Sequence, residues 1–272
     1  MFKKYLKIVG FVSLVISMFV LPDIFVGIGA TVYHYTVNPN IASEILLDVF
    51  VENSILFSTV GGLGSIFIYW LFFLRKDKNL LSRFSFKTIN YSQACYSFVM
   101  GAGIYLFFSS LIDLTNLEAF FPEHQILMEQ IMANAHFVVL FLGVGIIVPI
   151  AEEIAFRGLI FKRLSQDFSL HIALILQAIV FGLMHLNVLQ SSYAFIAGIF
   201  LGLVYIWSGS ILAPIILHIS WNSVSVIINS FIDGGAGTPI SLLTLTIGLI
   251  TTTLSVMFFK KHAISYTPTI SK

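Results

Sequence analysis

The sequence predicts an all-α fold, a polytopic membrane helix bundle of about eight transmembrane helices with both termini cytoplasmic. Composition is the first reason. Of the 272 residues, 58% are hydrophobic and 10% are charged, whereas soluble domains average about 45–50% apolar and about 25% charged residues. The mean hydropathy of +0.97 is the second reason, because a chain this apolar cannot hide its excess in one soluble core. The third is a series of apolar runs, most of them near the roughly 20 residues that a spanning helix needs.

Eight apolar runs follow one another along the chain. They lie at 8–30, 54–74, 93–112, 136–152, 169–186, 192–208, 211–229 and 240–259. They are too long for strands and lack the alternation of a membrane barrel, so each is predicted to be a helix. The first run follows Lys3 and Lys4, as a signal peptide would. Its length, the presence of Pro22 and Asp23 and the lack of a small-residue cleavage site favour a retained anchor.

The positive charges predict the orientation of the bundle. With the amino terminus inside, the inner segments hold all 14 Lys and Arg residues, and the outer segments hold acidic residues without any Lys or Arg. Cytoplasmic segments of membrane proteins carry such an excess of Lys and Arg. The separation therefore supports eight spans with both ends cytoplasmic. The inner basic residues are Lys3, Lys4, Lys7, Arg75, Lys76, Lys78, Arg83, Lys87, Arg157, Lys162, Arg163, Lys260, Lys261 and Lys272.

The chain is predicted to form one integral-membrane domain, 1–272. Within it, 1–135 contains the amino-terminal spans and an outer amphipathic segment, 136–230 the catalytic core, and 231–272 the last span and tail. The outer segment, 113–134, mixes acidic with apolar residues, which is typical of a helix lying on the membrane surface. A plain polar connector explains the same residues equally well.

Composition also excludes some functions. The net charge of +1 lacks the basic surplus of a nucleic-acid binder, so no nucleic-acid partner is expected. The single cysteine, Cys95, excludes an intrachain disulfide and a cysteine-based zinc cluster. The expected partners are the lipid bilayer and a membrane-associated peptide or protein. The sequence does not indicate an oligomeric state.

Polar residues inside the later spans predict a functional site. Such residues are costly in a bilayer and are rarely retained without a role. With a helical rise of about 1.5 Å per residue, Glu152, His185, His218 and Asn222 lie at estimated depths of about 16, 22, 12 and 18 Å. Four polar side chains from three helices therefore converge on one layer near the middle of the membrane.

The spacing of these residues suggests how they are arranged. Glu153 and Arg157 are four residues apart and can pair on one helix face, while Glu152 points about 100° away and can face a cavity. His218 and Asn222 are also four residues apart and project from one face. Each of these side chains alone has a structural explanation, as an interhelical hydrogen bonder or a structural ion pair. Their shared depth favours a site.

The residue types predict a hydrolytic reaction. Glu152 with His185 can activate a water molecule as general base. His218 and Asn222 can donate hydrogen bonds to a developing oxyanion.

Three short motifs also resemble a known family. They are Glu152-Glu153-x-x-x-Arg157, then Phe181-x-x-x-His185, then His218-x-x-x-Asn222. In this order they resemble the signature of the CPBP family, the CAAX proteases and bacteriocin-processing enzymes, also called the Abi family. The eukaryotic type II CAAX prenyl endopeptidase is a member. The resemblance covers about 140–230, and the first three spans show no diagnostic match.

The resemblance implies an eight-helix intramembrane endopeptidase. In that family the first Glu and the second-motif His activate water, which here means Glu152 and His185. The third-motif residues of the family form the oxyanion site, which implies that role for His218 and Asn222. Glu153 and Arg157 match the remaining motif positions and are expected to be supporting residues. Expected substrates are CAAX-like proteins, bacteriocin leaders or signalling propeptides. The expected location is the bacterial cytoplasmic membrane, where the chain would be a multi-pass protein.

The sequence leaves open whether the protein binds a metal. The family is often labelled a metalloprotease, and a divalent metal such as zinc would have Glu152, His185 and His218 as its ligands. The His-Glu-x-x-His helix of zinc proteases is absent. A glutamate-activated water without a cofactor is slightly favoured.

Other functions compete with the protease. A non-proteolytic immunity factor or scaffold that binds a peptide would not need Glu152. A transporter is disfavoured because the two halves show no repeat and no paired broken helices. A serine protease built on Ser210 or Ser220 lacks the Gly-x-Ser-x-Gly elbow.

Overall fold

The computed structural model describes residues 2–37, 53–74, 85–126, 128, 136–231 and 238–264. The predicted polytopic helical bundle is confirmed. Seven helices in the described ranges are long and apolar enough to cross a membrane, and an eighth apolar helix is shorter. We number them α1 Phe2–Val37, α2 Ser54–Phe73, α3 Tyr91–Leu114, α4 Phe137–Ser165, α5 Leu170–Leu183, α6 Val188–Ser208, α7 Leu212–Phe231 and α8 Thr238–Lys261.

Helix α5 differs from the prediction in length. The run at 169–186 was expected to span, but α5 has 14 residues. At about 1.5 Å per residue this is about 21 Å, less than the hydrocarbon thickness of about 30 Å. The chain turns at 184–187 because Asn187 starts the next helix, where its side chain accepts a hydrogen bond from the Gln190 amide at 3.1 Å. Apolar composition extends through this turn, so hydropathy alone places the helix end too late.

Local capping explains other helix ends. Asn90 and Gln93 form a reciprocal capping box at the start of α3, which satisfies amide groups that have no partner inside the helix. Helix α6 ends at Gly209, whose φ of 62° lies in the left-handed region. Glycine adopts this conformation without a Cβ clash, so it stops the helix and lets the chain turn into α7.

Five segments that were predicted to be internal lie together at one end of the bundle. Lys4 at the start of α1 contacts Asp167 after α4, with Nζ and Oδ1 2.9 Å apart. The Ser210 hydroxyl donates to the Lys87 carbonyl at 2.6 Å, and the Ile264 amide donates to the Trp207 carbonyl at 3.0 Å. We call this the basic end: residues 2–7, 85–90, 162–169, 207–211 and 260–264.

The opposite end carries acidic residues. His124 contacts Glu118 at 3.3 Å, and the Ser241 hydroxyl hydrogen-bonds to Asp113. The predicted amphipathic segment is represented by a short 3₁₀-helix, Leu117–Phe120, and a helical turn at 122–126. Its remaining residues, 127 and 129–134, lie outside the described residues. So do several predicted charged positions, namely Arg75, Lys76, Lys78, Arg83, Lys272 and the outer acids in 38–52 and 232–237.

Small residues allow the helices to approach closely. Gly198 and Gly202 of α6 face α5, where a Cβ on Gly198 would lie 3.2 Å from Ala178 and one on Gly202 would lie 2.4 Å from Leu174. Gly198 and Gly202 therefore pack inside the bundle, as small-residue faces do in membranes. Gly101 of α3 faces α7 even more closely, because a Cβ there would meet a backbone carbonyl at 2.1 Å. These contacts pack α6 against α5 and α3 against α7.

Candidate functional site

Helix α4 changes its winding on both sides of the acidic pair. A π-helix at Gly143–Ile147 precedes a short α-helical stretch, Val148–Glu153, and a second π-helix follows at Ile154–Phe161. π-Helical turns are rare and occur frequently at functional sites, because the wider turn redirects side chains and backbone groups. Glu152 and Glu153 therefore sit at the junction between two kinds of winding.

Glu153 and Arg157 form a fully buried ion pair. An Arg157 guanidinium nitrogen donates to Glu153 Oε1 at 2.8 Å, and both side chains have 0% exposure. A second guanidinium nitrogen donates to the Gly198 carbonyl at 3.2 Å. The guanidinium carbon also lies 4.7 Å from the centre of the Phe181 ring, in cation–π geometry. The predicted pairing of Glu153 with Arg157 is thus present, and it joins α4 to α5 and α6.

His218 of α7 lies between the two carboxylates. Its Nδ1 is 2.8 Å from Glu153 Oε1, and its Nε2 is 3.5 Å from Glu152 Oε2. Because Glu153 Oε1 accepts from the Arg157 guanidinium, it is placed as an acceptor for His218 as well, and the adjacent Nδ1 donates to it. In the neutral imidazole, Nε2 is then the nitrogen with the free lone pair, and it points towards Glu152. This arrangement lets a proton be shared between Nε2 and Glu152.

The two glutamates differ in their access to solvent. The Glu152 side chain is 13% exposed, whereas that of Glu153 is fully buried. Glu153 Oε1 accepts hydrogen bonds from both Arg157 and His218. These contacts suit Glu153 to positioning His218. Glu152 is the carboxylate of the pair that a water molecule can reach.

His185 lies immediately after the end of α5. Its Nδ1 is 3.0 Å from the Phe181 carbonyl oxygen. Because a carbonyl only accepts, Nδ1 donates there and Nε2 keeps its lone pair. The Phe181 ring lies edge-on to the rings of both His185 and His218, at centroid distances of 5.2 and 5.8 Å. Within the described residues, no hydrogen bond or ion pair joins His185 to Glu152.

Asn222 lies one turn beyond His218 on α7. Its side-chain nitrogen donates to the Val144 carbonyl at 2.9 Å, and Val144 belongs to the first π-helix of α4. The neighbouring Ser223 hydroxyl reaches the Gly145 carbonyl at 3.3 Å. The asparagine amide is thereby fixed in orientation, and its second N–H is available to another acceptor.

Three polar residues near the site were not predicted from sequence. Gln177 of α5 donates to the Gly198 carbonyl at 2.9 Å, the same oxygen that Arg157 uses. Asp23 of α1 and Tyr69 of α2 both lie within the electrostatic influence of Glu152. An acid or amide inside an apolar run was the available signal for Asp23 and Gln177.

Glycine brings Asp23 towards the site. A Cβ on Gly61 would lie 1.4 Å from the Asp23 carboxylate, and one on Gly62 would lie 3.3 Å from Ile147 of α4. The adjacent glycines of α2 therefore admit α1 on one side and α4 on the other. The amino-terminal helices thus contribute to the surroundings of the acidic pair, although their sequences match no motif.

The predicted metal ligands are only partly in contact with one another in the structure. No group of three or more His, Cys, Asp or Glu residues that could hold a metal ion occurs in the described part of the chain. Of the predicted ligands, His218 and Glu152 are close, but both His218 nitrogens face carboxylates. His185 contacts Phe181 instead. We therefore derive no chemical step through a metal.

Comparison with known families gives one match in the same region. Residues 134–224 match the family described as type II CAAX prenyl endopeptidase Rce1-like. This part of the chain is similar to an Rce1-like domain. This agrees with the predicted CPBP resemblance, and the Rce1-like family is a protease family. Comparisons with curated proteins and with solved structures give no match. The matched residues contain α4 to the middle of α7, so they include both glutamates, both histidines and Asn222.

Proposed function

We propose that this protein is an intramembrane endopeptidase that hydrolyses a peptide bond in a membrane-associated peptide or protein. The observation that carries the proposal is the position of His218, which is anchored through Nδ1 on buried Glu153 and presents Nε2 to Glu152. A fixed imidazole beside a solvent-accessible carboxylate is suited to proton transfer. The Rce1-like domain supports the same class of reaction.

In the proposed reaction Glu152 is the general base. It takes a proton from a water molecule as the water oxygen attacks the carbonyl carbon of the substrate. The free N–H of Asn222 donates to the resulting oxyanion, and so does His218 Nε2 when the proton that it shares with Glu152 lies on the imidazole. The carbon–nitrogen bond then breaks, and the proton passes from Glu152 to the departing amine. Glu153 and Arg157 hold His218 in place throughout.

His185 has a supporting place in this proposal. Its Nε2 keeps a lone pair, and the Phe181 ring contacts the rings of both His185 and His218. It can accept a hydrogen bond from the attacking water or from the substrate backbone when substrate enters. We expect its loss to reduce turnover, because it orients a reactant.

The membrane placement is part of the proposal. We assign the basic end to the cytoplasmic side, because Lys and Arg are enriched there in membrane proteins. This places both termini in the cytoplasm, in a bacterial cytoplasmic membrane. The proposed substrates are peptides or protein tails that reach the site along the membrane, such as CAAX-like proteins, bacteriocin leaders or propeptides.

The test uses purified protein and a panel of lipidated and unlipidated membrane peptides. Wild type is compared with Glu152→Gln and His218→Gln, and with Glu123→Gln as a matched control at the exposed opposite end. We expect both site variants to lose cleavage by at least about 100-fold, as general acid–base residues do. The control should cleave normally. Chelator is added in a parallel set to test the metal-dependent form of the reaction.

The outcomes separate the protease from the competing function. If Glu152→Gln cleaves as well as wild type, the proposed mechanism is wrong. If folded wild type cleaves nothing, and the cellular phenotype of the protein survives Glu152→Gln, a peptide-binding immunity factor or scaffold explains the chain instead. Inhibition by chelator, reversed by added zinc, would replace the cofactor-free mechanism with a metal-dependent one.

A further inference from the structure

A basic cavity lies at the basic end of the bundle. It has a volume of about 310 Å³ and is lined by Lys3, Lys4, Lys7, Arg163 and Asp167. Helix α1 supplies the three lysines, and the end of α4 with the following turn supplies the other two residues. The cavity therefore joins the amino-terminal helix to the helix that carries Glu152.

The charges in this cavity do not balance. Asp167 uses one oxygen for Lys4 at 2.9 Å and the other for Arg163 at 2.5 Å. In the described part of the chain, Lys3 and Lys7 have no ion-pair partner, and both are exposed. Helix α1 starts at Phe2, so its unpaired amide groups and the positive end of its dipole add to the same field. An anion placed between Lys3, Lys7 and Arg163 would neutralise this excess positive charge.

An apolar strip continues from these lysines along α1. Residues seven apart lie on nearly the same helix face, since seven residues make almost two turns. Steps of seven residues from Lys7 reach Leu14, Leu21 and Ile28, whose side chains are 47%, 44% and 54% exposed. These large exposed side chains lie along a helix that is long and apolar enough to span. The face below the cavity is thus suited to hydrocarbon chains.

We propose that this cavity binds the phosphate group of an anionic phospholipid, with the acyl chains packed along the Leu14 face of α1. Basic pockets beside spanning helices at the cytoplasmic surface are suited to such headgroups. A soluble phosphate would satisfy the lysines but would leave the adjoining apolar strip without a role. The bound lipid would bridge Lys3 and Lys7 to Arg163 and hold α1 against α4. This inference does not depend on the proposed protease function.

The test measures lipid binding and thermal unfolding of the whole protein in neutral detergent. The probes are phosphatidylglycerol, zwitterionic phosphatidylcholine and water-soluble glycerol 3-phosphate. The site variant is Lys3→Gln/Lys7→Gln. The control is Lys260→Gln/Lys261→Gln, which removes the same charge from the same end but does not line the cavity.

Phosphatidylglycerol should bind wild type and the control and raise their unfolding temperature. Each basic residue near an anionic lipid contributes a factor of about five, so the site variant should bind about 30-fold more weakly. Glycerol 3-phosphate and phosphatidylcholine should stabilise wild type much less. High salt should weaken binding to wild type more than to the site variant.

Two results would overturn the proposal. Equal weakening in the control would mean that general surface charge attracts the lipid, without a defined site. Stabilisation by glycerol 3-phosphate as strong as that by phosphatidylglycerol would assign the cavity to a soluble anion. Leu14→Gln provides an independent check, because it leaves every charge in place and should weaken binding of the long-chain lipid alone.

Discussion

Removing the buried charges of Glu153 and Arg157, one at a time and then together, is the most direct test of the site architecture. Both side chains have 0% exposure, and one Glu153 oxygen accepts from both Arg157 and His218. Glu153→Gln would leave the guanidinium with the neutral Gly198 carbonyl as its main acceptor. Arg157→Met would leave a buried carboxylate with His218 alone.

The size of the effect follows from this burial. Removing one partner of a buried ion pair costs about 3–5 kcal/mol, because the remaining charge has lost its compensation. A domain of ordinary stability has about 5–15 kcal/mol in total, so each single variant should be strongly destabilised. Glu153→Gln/Arg157→Met removes both charges together. We expect it to be no less stable than either single variant, which gives a coupling energy of at least about 3 kcal/mol.

The assay is reversible unfolding in mixed micelles, followed by tryptophan fluorescence. Glu123→Gln, at an exposed position, serves as the control and should change the free energy of unfolding by no more than about 0.5 kcal/mol. If the single variants do not accumulate, recovery of folded double variant is the readout. Additive losses, with the double variant the least stable of the three, would refute the description of a mutually compensating buried pair.

Three further predictions concern packing, pH and a single hydrogen bond. Gly101→Val should push α3 away from α7 and lower the unfolding temperature, since even a Cβ there would lie 2.1 Å from the Leu217 carbonyl. The control Gly10→Val, at a position with nothing within 4 Å, should leave the unfolding temperature nearly unchanged. Hydrogen bonds from its two basic partners lower the pKa of Asp167 below its ordinary 3.8. Its stabilising contribution is therefore full above pH 3.8 and is lost as the pH falls through the lowered value, so Asp167→Asn should be less stable than wild type at neutral pH and equally stable in strong acid. Tyr69→Phe removes a buried hydrogen bond of 3.1 Å to a carbonyl of α1 and should cost about 0.5–1.5 kcal/mol in chemical unfolding; an unchanged midpoint would contradict that contact.

Much of the bundle was predictable because the bilayer imposes simple rules. Apolar runs of sufficient length must be helices, since lipid offers no partners for free backbone groups. All eight runs contain a helix. The end of α5 was not predictable in this way, because Leu183, Met184 and Leu186 are as apolar as the helix itself. What ends the helix there is the start of the next helix at Asn187.

Within the site, the pairing on one helix was predictable from the sequence, whereas the contacts between helices were not. Spacing alone predicted that Glu153 pairs with Arg157, because both lie on one helix. The depth estimates brought Glu152, His185 and His218 to one layer, but they contain no information on the direction in which each helix faces. The structure places His218 beside Glu152, at 3.5 Å, and turns His185 towards Phe181. The catalytic roles of these residues stay predictions.

Residues from the first helices were the hardest to predict. Asp23 and Tyr69 belong to spans without a recognisable motif, and their relation to Glu152 depends on how α1 and α2 pack. The adjacent glycines at 61 and 62 make that packing possible. In the sequence they resemble any small-residue stretch of a spanning helix, and the sequence does not show which side chains they admit.

The shortness of α5 bears on how water reaches a reaction inside a bilayer. Its length of about 21 Å leaves it about 9 Å short of a full crossing. The chain beyond it includes Leu186, which is 94% exposed and has a positive φ. Backbone outside a helix is tolerated at membrane depth only when protein covers it or when it borders water. We therefore expect a hydrated notch in the wall of the bundle beside His185, through which each hydrolytic cycle would draw the water molecule that it consumes.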